Sequence, residues 1–239
     1  KYSAAVIGLG YVGLPLVVLL KKKKVKIFGF DLNKQAIKKI KSGKSYISDL
    51  SNKEVSLLKN ENIYSLKDIK YINKVDYIII CLPTPLKNKK PDMEYIEKSF
   101  KLIFPHLRNG QTIILESSVY PGATRKIFSK KLLRKFDLGK NFFLTYSPER
   151  IDPGKSNKYK KTSLENIPKL ISGFTPNCVK KIKNLYSKVF KKLHEGFPAQ
   201  SKTAMFVGGC VRKYLTNDLI DDIDIATTLN TDEIKERFK

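Results

Sequence analysis

The chain has 239 residues, 41% of them hydrophobic, and a net charge of +25 at neutral pH. Apolar residues are spread along the whole length, which excludes a disordered chain and allows one large domain or two small ones. No uninterrupted apolar window of about 18 residues occurs, so no membrane-spanning helix is expected.

In chain order, residues 3–7 (Ser-Ala-Ala-Val-Ile) read as a short buried strand, and Gly8 to Gly13 as a turn. A helix is expected over 12–21, ended by a lysine run, then a second strand over 25–30, closed by Asp31. Ala36, Ile37 and Ile40 share one face of a helix over 33–42. A polar stretch, helical around 53–60, leads to Val75–Cys81, a near-continuous apolar run of the kind a central parallel strand requires. A helix over 93–107 stops at Asn109-Gly110. Gln111–Glu116 is the next strand, 122–136 a helix and Phe142–Thr145 a further strand. The last strongly amphipathic helix covers 176–193, with Val179, Ile182, Leu185 and Tyr186 on one face. Strand and helix in alternation predict an α/β chain built on a doubly wound parallel sheet.

Beyond this the pattern changes. Residues 194–202 read as a linker. Residues 203–207 are an expected strand, Gly208-Gly209 a turn, 210–216 a helical stretch, 221–227 a strand and 231–238 a helix. The organisation expected is a domain over 1–195, a junction over 196–201 and a short α/β piece over 202–239.

Two readings of the charge are open. A basic surface suits nucleic acid or another polyanion. However, only six of the 47 basic residues are arginine, whose planar fork is the better reader of phosphate and bases. The lysines are also scattered over nearly every segment, which fits a compositional habit, and RNA is not an expected partner. Cys81, Cys178 and Cys210 match no zinc spacing and include no close pair. They read as small buried side chains of a cytoplasmic protein.

The densest motif is Gly8-Leu9-Gly10-Tyr11-Val12-Gly13. It follows an expected strand, opens an expected helix and precedes an acidic residue, Asp31, at the end of the second strand. In that context it is a dinucleotide fingerprint, and the sheet reads as Rossmann-like. Gly8 permits the tight turn, Gly10 lets a pyrophosphate approach the backbone, and Gly13 lets helix and strand pack closely. The helix N-terminus offers unpaired N–H groups and a partial positive charge to phosphate. Asp31 suits the ribose hydroxyls of NAD. The lack of an arginine just after it points the same way, and Lys34 points the other.

VIGLGYVGLPL, GFDLN, CLPTPL, PDMEYI, ESSVYPGATR and LTYSPERIDPGKSN follow one another at Rossmann spacing. Over residues 3–193 the chain resembles the UDP-glucose/GDP-mannose dehydrogenase family, and SPERIDPG resembles its branch acting on UDP-N-acetyl-hexosamines. The resemblance implies oxidation of a sugar C6 alcohol to a carboxylate with NAD. It places Gly8, Gly10, Tyr11, Val12, Gly13, Asp31, Thr84 and Pro85 around the cofactor. Ser118 stands where the family has a threonine that helps place a water, and Glu149 resembles a glutamate that assists acid–base steps. Plainer readings stand beside these: Thr84-Pro85 as a strand cap, Ser118 bonded to a turn, Glu149 paired with Arg150.

The family's nucleophilic cysteine, carried on a glycine-rich segment, and its UDP-sugar domain have no counterpart in this sequence, so complete catalysis is not expected. The segment AMFVGGCVRKYL with DDIDIATTLNTDEI instead resembles the start of the head domain of tRNA nucleotidyltransferases and poly(A) polymerases. That resemblance implies room for a nucleotide at Gly208-Gly209, phosphate near Arg212, and Mg²⁺ on Asp222 and Asp224, which fall on one face of a strand. The plainer reading makes both aspartates solvated acids. Joined fragments of two enzymes are the expected account of the chain.

Overall fold

A computed structural model describes residues 2–87, 90–120, 122–148 and 163–196, with two further strands at 204–207 and 224–227. Eight strands form the main sheet: β1 (Ser3–Ile7), β2 (Lys26–Asp31), β3 (Asn62–Ser65), β4 (Tyr77–Ile80), β5 (Thr112–Leu115), β6 (Phe143–Tyr146), β7 (Lys169–Gly173) and β8 (Leu193–Glu195). Their order across the sheet is β8-β7-β6-β5-β4-β1-β2-β3. Pairing is parallel throughout except between β6 and β7, where Thr145 faces Gly173 in antiparallel register. The order reverses between β1 and β4. Such a switch point opens a crevice at the carboxyl ends of the strands.

The central strands are apolar on both faces because both are covered. Alternation along each strand divides the core in two. Ala4, Val6, Ile27 and Ile79 pack with helices α1 (Gly13–Lys22) and α4 (Pro176–Val189). Ala5, Ile7, Phe30 and Ile80 face the other way, against helix α3 (Glu94–Ile103) and the segment carrying Phe128, Leu132 and Phe136. Helix α1 is buried almost all round, from Leu16 to Leu20 without a break, and ends on Lys21 and Lys22, cations favoured by the C-terminal dipole. Helix α2 (Lys34–Lys41) starts at Asn33, whose side chain accepts from the Gln35 and Ala36 N–H groups at 3.0 and 3.1 Å.

Four expectations are corrected. The helix expected over 122–136 is shorter and irregular: it spans 123–132, widens to a π turn over Arg125–Ser129 and ends on the α turn Lys130–Leu132. The Ser129 hydroxyl donates to the Arg125 carbonyl at 2.7 Å, competing with the backbone ladder. The final helix stops at Val189, because Phe190 is extended. Residues 193–195 then form edge strand β8 on β7, so the stretch expected as linker from 194 begins inside the sheet. Strands β3 and β7 were not expected; Asn-Ile-Tyr-Ser and Lys-Leu-Ile-Ser-Gly are short and lack a clean two-residue period. Residues 204–207 and 224–227 pair antiparallel, Val207 opposite Asp224. The expected helices over 210–216 and 231–238 lie outside the described residues.

One buried ionic cluster ties the parts together. Glu116, the residue after β5, is fully buried, and its Oε2 lies 2.5 Å from Lys169 Nζ at the start of β7, itself buried. The Tyr186 hydroxyl, from α4, donates to Glu116 Oε1. Removing one partner from such a pair strands a charge in the interior. Lys169→Met is therefore expected to lower stability by about 3–5 kcal/mol, and Tyr186→Phe by about 1.5–3 kcal/mol. Urea unfolding followed by circular dichroism reads both, and wild-type midpoints would contradict the assignment.

Candidate functional site

The crevice between the ends of β1 and β4 is shaped by backbone contacts. Gly8 turns the chain with φ +90°, and a Cβ there would lie 2.6 Å from the Cys81 carbonyl oxygen. Both facts require glycine. Its N–H donates to the Phe30 carbonyl at 2.9 Å, and the Cys81 N–H donates to the Ile7 carbonyl at 2.9 Å, so both neighbouring strands grip the turn. A Cβ on Gly13 would lie 1.8 Å from the Gly8 carbonyl oxygen, so α1 starts in contact with its own strand. Gly10 differs from both: a Cβ there would meet nothing within 4 Å.

Helix α1 opens at Val12 with no side-chain cap and no acidic residue in its first turn. No acidic side chain of the helix's own first turn offsets the positive end of its dipole. Tyr11 stands half-exposed beside it, and Val12 packs partly buried against the first core.

Asp31 closes β2 facing the same loop. One carboxylate oxygen accepts the Leu9 N–H at 2.7 Å and the other the Asn33 N–H at 2.7 Å. Each oxygen keeps a second lone pair for another donor. Lys34, one turn away, is exposed.

The loops after β4 and β5 are stitched together. The Thr84 hydroxyl donates to the Ser118 carbonyl at 2.7 Å, and the Ser117 hydroxyl to the Leu82 carbonyl at 2.6 Å. Pro85 is exposed and its carbonyl accepts from Asp92 N–H at 2.8 Å. Ser118 itself is exposed. The fold thus brings Gly8, Gly10, Gly13 and Asp31 to one strand end, and Thr84, Pro85 and Ser118 to the next. Glu149, Asp222, Cys210, Gly208-Gly209 and Arg212 lie outside the described residues, and Asp224 is placed only as the first residue of its strand. Cys81 and Cys178 are buried.

Sequence reasoning missed two groups near this end of the sheet. Glu116, Lys169 and Tyr186 come from distant segments, and only the fold joins them. Tyr46, whose hydroxyl donates to the Leu9 carbonyl, lies in a polar stretch with no period to mark it. Burial and the nearby Asp31 carboxylate push its phenol above the ordinary range. Among the described residues, no cluster of three or more His, Cys, Asp or Glu side chains is placed to hold a metal. No helix among them is long and apolar enough to cross a membrane.

Comparison with known proteins gives a consistent result. Residues 2–190 match the family model described as the UDP-glucose/GDP-mannose dehydrogenase family, NAD binding domain. The UDP-N-acetyl-D-glucosamine 6-dehydrogenase of Salmonella typhi is 35% identical over 192 residues, 79% of this chain and 44% of that protein. The UDP-N-acetyl-D-mannosamine dehydrogenase of Pyrococcus horikoshii is 32% identical over 232 residues, 93% of this chain and 51% of that protein, an alignment that reaches past residue 190. The solved structure of the UDP-D-ManNAc dehydrogenase from Pyrococcus horikoshii superposes with a TM-score of 0.71 at 27% identity, covering 82% of this chain and 47% of that one. The chain spans about half the length of the relatives it matches. It belongs to the UDP-glucose/GDP-mannose dehydrogenase family, and residues 2–190 are the NAD-binding domain.

Proposed function

We propose that the chain binds NAD in the crevice beside Gly10 and serves as the cofactor half of a UDP-N-acetyl-hexosamine 6-dehydrogenase. The observation that carries this is the open space over Gly10 next to an uncapped helix N-terminus, with Asp31 facing the same loop. A pyrophosphate fits there: the missing side chain admits it, and the N-terminal N–H groups and dipole favour its charge. Asp31 accepts from the ribose hydroxyls with its remaining lone pairs. Tyr11 and Val12 flank the phosphates, and Thr84 and Pro85 line the nicotinamide side. Bound NAD supplies the hydride acceptor. Ser118 orients a water at the neighbouring strand end, and Glu149 serves acid–base steps.

The sugar class is supported by the names of the relatives from Salmonella typhi and Pyrococcus horikoshii. We place the sugar-binding and cysteine chemistry in the half of those proteins that this chain does not cover. Buried thiols at Cys81 and Cys178 suit a cytoplasmic setting. We assign residues 1–195 to the dinucleotide domain, 196–201 to a junction and 202–239 to a separate piece.

A second reading attaches to that piece. Strands 204–207 and 224–227 pair antiparallel, which sets Asp224 opposite Val207, the residue before Gly208-Gly209. The reading, which rests on the sequence resemblance, assigns this piece a nucleotidyltransferase-like start with Mg²⁺ held by Asp222 and Asp224. The alignment with the Pyrococcus horikoshii dehydrogenase past residue 190 weighs against it. Mg²⁺-dependent incorporation of CTP or ATP into tRNA is the test; incorporation no higher than in a chain lacking 202–239 removes the reading.

Calorimetric titration with NAD tests the first reading. Saturable binding is expected, weakened about tenfold or more in Asp31→Asn, which loses a charged acceptor. Folded protein that takes up no NAD would refute it. The glycines separate site from scaffold. Gly10→Val is expected to keep the wild-type melting temperature and lose NAD affinity, because its side chain enters open space. Gly13→Ala is expected to destabilise the fold by about 1–3 kcal/mol or more, because its methyl collides with backbone. The opposite pattern in thermal melts and titrations would overturn the assignment.

A further inference from the structure

Leu9, the residue between the first two glycines of the loop, is held at three points. Its side chain is fully buried and lies in the gap left by Gly29, where a Cβ would come 3.2 Å from Leu9 Cδ1. Its N–H is bonded to Asp31 Oδ2 at 2.7 Å. Its carbonyl accepts the hydroxyl of Tyr46, which comes from a different segment of the chain. The peptide unit is planar and trans, so a carbonyl directed at Tyr46 turns the N–H of Gly10 to the opposite side. The loop therefore shows its N–H, not its oxygen, on the side away from Tyr46.

Tyr46 is itself braced. The helix before it ends at Ser42, and Gly43, with φ +73°, reverses the chain. The Ser45 N–H donates to Asn52 Oδ1 at 2.7 Å, and Ile47 is buried on the other side. A capping box between Ser51 and Glu54 fixes the next turn. The ring packs partly buried against the first core. Its raised pKa keeps the hydroxyl a donor at neutral and mildly alkaline pH.

We infer that Tyr46 is a positioning residue for the dinucleotide pyrophosphate: its hydroxyl holds the Leu9–Gly10 peptide in the orientation that offers an N–H rather than a carbonyl oxygen to the anion. It acts through Leu9 and does not touch the ligand. Without it the Leu9 carbonyl loses the bond that sets its direction, and in the reversed orientation an oxygen lone pair meets the phosphate. The inference rests on the NAD reading above.

The test is calorimetric titration of wild-type chain and Tyr46→Phe with NAD, each far below its melting temperature. Tyr46→Phe retains the ring and its packing, and thermal melting checks that it folds. The expected result is an increase in Kd for NAD of about five- to tenfold, the worth of one hydrogen bond. A purely structural tyrosine would lower the melting temperature and leave Kd unchanged, and that result overturns the inference while the NAD reading stands. Wild-type protein that is folded and takes up no NAD overturns both.

Discussion

The contact between Gly13 and the Gly8 carbonyl is the constraint on which the rest of the structure depends. A Cβ at Gly13 would come within 1.8 Å of that oxygen, so the first helix begins directly on the end of its own strand. This places the helix axis close against the sheet and buries Leu14 and Leu16–Leu20 at once. It also leaves Gly10 at the crest of the turn, with nothing above it. The same close approach that completes the core thus creates the opening at the strand end.

That opening is useful only if the loop around it is rigid, and three elements supply the rigidity. Strand β2 contributes the Phe30 carbonyl and the Asp31 carboxylate, strand β4 contributes the wall at Cys81, and the segment after α2 contributes Tyr46. Asp31 spends one lone pair on Leu9 and another on Asn33 before any ligand arrives. A carboxylate so fixed is already oriented, and a ligand hydroxyl that meets it costs little reorganisation.

The second half of the sheet is held differently. Beyond β5 one pairing is antiparallel, and the contacts include a buried charge pair. Glu116 gathers Lys169 and Tyr186, and so binds β7 and α4 to the end of β5. Ser117 and Ser118 follow immediately. Anchoring Glu116 inside the core therefore fixes where the next two residues emerge, and the Thr84–Ser118 bond joins that point to the loop after β4.

Much of this was legible from the chain alone. The glycine fingerprint, Asp31, and the apolar runs of β1, β2, β4 and β5 are local patterns, and local patterns report local structure: period, turn chemistry and strand burial all act over a few residues. They determined the fold class, the place of the crevice at the strand ends and the family resemblance. Tertiary structure decided what depends on distant partners. Short edge strands such as β8 form because a neighbour offers hydrogen bonds, not because Leu-His-Glu prefers extension. The extended Phe190 likewise ended a helix that periodicity alone would continue, and the π turn at Arg125–Ser129 widened another without breaking it. Glu116, Lys169, Tyr186 and Tyr46 are unremarkable in sequence, and they acquire a role only when the sheet closes around them, because burial sets the strength of a hydrogen bond or an ion pair and burial belongs to the whole fold.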